Sequence, residues 1–124
     1  MSCKLRFLAL PVLALAAAGP ALAQDAAAGA ATFKSRCQAC HTVAPGQTPG
    51  MAPNLWGVVG RKAGSTQFNY STALKASGLT WSTATLDTFL TAPTKMVPGT
   101  RMVIPVTDAK ERGDLIAYLA TLKK

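Results

Sequence analysis

One histidine, five acidic residues and three cysteines are all that this 124-residue chain offers to metal or acid–base chemistry. No carboxylate pair and no Ser/His arrangement stands out, and the lone histidine leaves no second imidazole to act as a base. Catalysis by protein side chains is therefore unsupported. Long apolar runs are missing too. The longest, residues 7–18, would cover only about 18 Å of helix, against a hydrocarbon core of roughly 30 Å. The sequence also lacks repeats, a linker, a second domain and any strand-like alternation.

What the chain does have falls into two parts. Residues 1–23 carry Lys4 and Arg6, then the short apolar run, then Ala21-Leu22-Ala23 ahead of Gln24. A basic start, a brief apolar stretch and a small-x-small end read as a cleaved export signal, not a membrane anchor. Cys3 leaves with it, being far from the cleavage site where a lipid-bearing cysteine would stand. The expected mature domain is residues 24–124, a chain placed outside the cytoplasm, most readily the bacterial periplasm. The full chain carries 13 Lys and Arg for a formal charge of +8, and the mature part keeps all five acids and a charge of +6. That surplus, with no basic helix and no interleaved aromatics, is a poor fit to nucleic acid. A domain of this size buries a modest core and gains from a staple or a bound group.

The candidate staple is Cys37-Gln38-Ala39-Cys40-His41, which gathers the mature chain's two cysteines and its histidine into five residues. Cys-x-x-Cys-His is the attachment signature of c-type haem. Two thiols three positions apart can each form a thioether to a vinyl group, and the adjacent imidazole can then ligate iron. Three rivals compete. A structural zinc site wants four ligands and finds three. A thioredoxin-like pair expects a strand leading into it, whereas residues 25–36 are alanine-rich and helical in pattern. A plain disulfide is sterically possible but leaves the adjacent histidine unexplained.

Haem iron held by one histidine needs a sixth ligand or keeps an open position. Met51 lies only ten residues beyond His41 in a Pro/Gly-rich loop, too soon to cross the macrocycle. Met96 and Met102 flank Pro98-Gly99-Thr100 and are both expected on an irregular loop after Pro93. Helices are expected over residues 25–39, 71–76 and 83–92, the last capped by Ser82 and stopped by Pro93. Asp108-Ala109-Lys110-Glu111 reads as a capping box opening a last helix with Leu115, Leu119 and Leu122 on one stripe.

These residues together resemble class I cytochromes c, the small carriers related to mitochondrial cytochrome c and bacterial cytochrome c2. The resemblance runs from about Gly29 to Leu122. It rests on Gly29 and Phe33 facing Leu115-Ile116-Ala117-Tyr118-Leu119, on Pro53-Asn54-Leu55 with Gly57 and Gly60-Arg61-Lys62, and on Pro98 to Met102. It implies an all-α fold with N- and C-terminal helices packed together around one covalently bound haem c, with long connecting loops. It implies thioethers at Cys37 and Cys40, axial ligands His41 and Met102, and a Pro53 carbonyl receiving the imidazole N–H. Arg61, Tyr70, Trp81 and Thr100 fall where the family contacts the haem propionates.

Such a protein is expected to be a monomeric carrier of single electrons, not an enzyme. Its expected partners are a membrane quinol–cytochrome c oxidoreductase, a terminal oxidase or an exported dehydrogenase. The chain departs from the mitochondrial pattern at Phe89, which lacks a tyrosine hydroxyl, and at Leu74 and Ile104. Basic residues around the haem edge are thinned to Arg36, Lys95 and Arg101, with Ala31, Gly50 and Thr94 neutral. Two other readings keep the same fold: a haem with weakly held Met102 acting on peroxide or a small gas, and a carrier dedicated to one exported dehydrogenase.

Overall fold

A computed structural model describes residues 24–123, so the expected export signal over residues 1–23 lies outside the described residues. Among the described residues there are five helices: α1 (Ala26–Arg36), α2 (Thr72–Ala76), α3 (Thr83–Thr91), α4 (Pro93–Met96) and α5 (Ala109–Thr121), with long loops before α2 and before α5. Strand pairing among the described residues is a single bridge, Lys62 to Thr80.

Helix α1 starts where Asp25 accepts from the N–H groups of Ala27 and Ala28. It ends earlier than the expected residue 39. Cys37 and Gln38 both donate to the Phe33 carbonyl, and Cys40 and His41 both donate to that of Cys37, so the motif forms a tight turn. Both cysteines and the histidine are thereby fixed by backbone bonds at the end of a helix.

The α1–α5 crossing is set by a missing side chain. A Cβ on Gly29 would lie 1.9 Å from the Asp114 carbonyl oxygen, so the two backbones approach as only glycine permits. Phe33 packs its ring 5.6 Å from that of Tyr118 beside this contact. Leu115, at 1% exposure, Ile116, Leu119 and Leu122 bury the inner face of α5, as the leucine stripe leads one to expect.

Ser71 caps α2 by accepting from Leu74 N–H. Ser82 and Thr85 form a reciprocal capping box on α3, whose Leu86, Phe89 and Leu90 are buried. Pro93 stops α3, as its ring requires, but it also opens α4. Ala92 at φ −157° breaks the helix, and Pro93 sits at N1 of the next turn, where its missing N–H costs nothing. Met96 is therefore helical and not on the irregular loop.

At α5 the expected capping box is half formed. Asp108 accepts from Glu111 N–H, but the Glu111 carboxylate reaches Arg36 at 2.9 Å and ties α5 to α1. The long loop between the motif and α2 is pinned at four places. Gly57 N–H bonds Leu122 O, Gly60 N–H bonds Trp81 O, Ala63 N–H bonds Leu79 O, and Trp81 N–H bonds Arg61 O. That loop and the 97–108 segment wall the space beside the motif.

Candidate haem-binding site

The site begins at the turn. Because Cys37 to His41 are held by bonds to Phe33 and Cys37 carbonyls, the two thiols and the imidazole cannot drift independently. Cys37 and Cys40 are free and half-buried. Burial pushes the Cys37 thiol up, with the Arg36 guanidinium opposing. Among the described residues, no three His, Cys, Asp or Glu side chains are grouped as metal ligands.

His41 Nδ1 lies 2.8 Å from the Pro53 carbonyl, a bond in which the ring must be the donor. Burial holds the imidazole pKa below its ordinary value; the Pro53 bond opposes that shift and the Arg61 charge reinforces it. A neutral ring with Nδ1–H on Pro53 leaves its lone pair on Nε2, the form a metal-ligating histidine takes.

Cys37, Cys40 and His41 line a cavity of about 340 Å³, and Met102 lines it too. Met96 and Met102 both pack against the hydrophobic core, but Met96 is not part of the lining; Met51 is on the lining too, 77% exposed. Most of the remaining wall is aliphatic or aromatic, including Leu86, Phe89, Leu90 and Leu119.

Arg61, Tyr70, Trp81 and Thr100 also reach the cavity. Arg61 already donates to the carbonyls of Asn54 and Trp56, each at 3.1 Å, so it clamps the loop that carries Pro53. Tyr70 and Thr66 share a short hydroxyl bond. The Trp81 ring is tilted 58° against that of Phe89 with centroids 4.9 Å apart, and Thr100 is buried. All nine residues singled out from sequence, Pro53 among them, therefore line one cavity.

Sequence reasoning missed Phe68, whose ring stands edge-on to Tyr70 at 5.2 Å, and Ser71, which caps α2 at the cavity wall. The Ser71-Thr72-x-Leu74 pattern is a cap signal that could have pointed to the latter. The donor set suits a haem: two thiols, a neutral imidazole and a thioether in an apolar slot, with polar donors on part of its wall.

The cytochrome c family model matches residues 26–123. This chain belongs to the cytochrome c family. It is 50% identical over 101 residues to cytochrome c2 of Rhodomicrobium vannielii, covering 80% of each chain. It is 47% identical over 96 residues to cytochrome c of Theileria annulata, covering 77% of this chain and 84% of that one. Cytochrome cH from Methylobacterium extorquens superposes with a TM-score of 0.72 at 49% identity, over 78% of this chain and 98% of that one. The fold is the class I cytochrome c fold, with α1 against α5. As a member of the family the protein carries one covalently bound haem c and works as a monohaem electron carrier.

Proposed function

We propose that residues 1–23 export the chain and are removed, and that residues 24–124 carry single electrons in the periplasm with iron held between His41 and Met102. The supporting observation is the cavity that Cys37, Cys40, His41 and Met102 line together and Met96 does not. When bound, the haem supplies an iron centre that takes up and releases one electron.

The residues around it do the rest. Cys37 and Cys40 hold the group as thioethers, so it cannot dissociate between encounters. Pro53 fixes the His41 tautomer, and Arg61 fixes the loop bearing Pro53. Met102, on the same lining, would offer its thioether sulfur as a further ligand to the iron. The aliphatic wall keeps water away, and the polar donors Arg61, Tyr70, Trp81 and Thr100 are available to propionates that would otherwise be costly to bury.

Partners meet the protein at the cavity mouth. The three large exposed hydrophobics among the described residues, Met51, Val103 and Ile104, all stand there. Of the thinned basic set, Arg36 is paired with Glu111 and Arg101 donates to the Asn69 carbonyl. Contact with a quinol–cytochrome c oxidoreductase, a terminal oxidase or an exported dehydrogenase is therefore led by apolar surface, with charge in support.

Carbon monoxide tests the ligation. The reduced protein as purified should fail to bind it, and Met102→Ala should bind it readily. Binding by the unmodified protein contradicts the carrier reading and favours a reactive haem.

A further inference from the structure

We propose that Arg112 is a positioning residue for Met102: from outside the cavity it grips the end of the segment that carries the methionine, and so sets how readily the sulfur gives way to another ligand. The inference rests on the His41/Met102 reading above.

Met102 stands on a stretch with little to hold it. Among the described residues, residues 102–105 make no backbone–backbone hydrogen bond, and Val103, Ile104 and Pro105 are exposed. On the near side the chain is tied by Arg101, which donates to the Asn69 carbonyl. On the far side it is next held at Val106, which is buried and donates its N–H to the Leu90 carbonyl of α3 at 2.7 Å.

Arg112 of α5 completes that far anchor. Its Nη1 donates to the carbonyls of Val106 and Thr107, at 3.0 and 3.2 Å, so Val106 is gripped through both its N–H and its carbonyl. Nε of the same guanidinium donates to Asp87 Oδ1 on α3 at 2.7 Å. Asp87 and Leu90 are neighbours on one face of α3, so one turn of that helix both aims the guanidinium and takes the Val106 N–H. Asp87 is exposed, and its pairing contributes aim more than energy.

The Arg112 side chain itself is only 11% exposed, so water competes little for its bonds to the two carbonyls. Its planar fork lets one cation serve the segment and α3 together. Neither Arg112 nor Asp87 lines the cavity, whereas Val106 and Met102 do. Arg112 therefore acts on the sulfur through the backbone between them. A competing ligand sees only those molecules whose Met102 has moved aside, and cutting the far anchor enlarges that fraction.

Imidazole, titrated into the oxidised, haem-loaded protein and followed by loss of the near-red sulfur band, tests this. Arg112→Ala should take up imidazole at concentrations about tenfold lower than the wild type, under conditions where both are fully folded by circular dichroism. Arg112→Lys keeps the charge and the stem but not the fork, so it should fold and show part of that shift. Gly29→Ala, which strains the α1–α5 crossing instead, should titrate like the wild type. Amide hydrogen exchange at Val106 should quicken in both Arg112 variants. Wild-type imidazole affinity in both of them overturns the proposal while the ligation reading stands. An equal shift in Gly29→Ala overturns it too, and assigns Arg112 to stability alone. A shift with Val106 exchange unchanged overturns the route through the segment. A wild type with no sulfur band to displace overturns the ligation reading and the proposal together.

Discussion

Arg61 shows how much one side chain does at this site. Its guanidinium holds two carbonyls, at Asn54 and Trp56, on either side of the segment that follows Pro53, and that proline holds His41. Burial lowers the Arg61 pKa, yet a guanidinium stays charged across the accessible range. Arg61→Ala should cost about 2–3 kcal/mol in chemical denaturation, because two carbonyls lose charged donors at once. Arg61→Lys should recover little of that loss, since an ammonium cannot bridge both carbonyls in the same fork. At this scale the sequence was highly legible. Five adjacent residues carry the cofactor chemistry, and local spacing suffices to read them. The resemblance implies a propionate donor at Arg61, and the structure adds its grip on the loop, two side-chain bonds to backbone carbonyls that no motif advertises.

Helix pairing is decided by Gly29 and Asp114. Gly29→Ala should destabilise the protein by about 3 kcal/mol, since the added methyl meets a backbone oxygen that can yield only if α1 and α5 separate. Asp114 sits at the same crossing, 5% exposed, and its carboxyl is held below the ordinary range first by the Lys110 ammonium and then by the Asp25 N–H. A carboxyl with a lowered folded pKa contributes stability above its unfolded value of about 3.9 and loses it as pH falls through the folded value. The melting temperature of the protein should therefore exceed that of Asp114→Asn at neutral pH, with the gap closing at acid pH. A gap that stays constant into acid would assign Asp114 a role in packing alone.

Element ends were less legible than element existence, and the reasons are particular. Pro93 was expected to stop a helix and does, but whether the chain then coils again depends on Ala92 and on the burial of Pro93 against the core. Glu111 was expected to return to its own helix end. Its actual partner, Arg36, is 75 positions away, so only the assembled fold brings the two together.

The whole molecule presents its cavity mouth through Met51, Val103 and Ile104, and pairs Arg36 internally. Electron-transfer rates with a physiological partner should fall only modestly as salt rises, because Arg36 is already paired with Glu111 and Arg101 is left as the exposed cation on the cavity lining without a carboxylate partner. Ile104→Glu should slow that transfer at least about tenfold while leaving the haem spectrum unchanged, as expected for a docking residue at the centre of a small interface. A steep salt dependence with a mild effect of Ile104→Glu would return the docking role to the basic residues. Partner choice was the least legible property in sequence, since it depends on which apolar side chains the loops leave uncovered.

The most direct test of the account is the near-red iron(III)–sulfur absorption band of the oxidised protein, compared across wild type, Met96→Ala and Met102→Ala. The account predicts a low-spin c-type spectrum with that band in the wild type and in Met96→Ala, and its loss in Met102→Ala. A band that survives in Met102→Ala, or that is missing from the wild type, would contradict His41/Met102 ligation and with it the proposed mode of electron carriage.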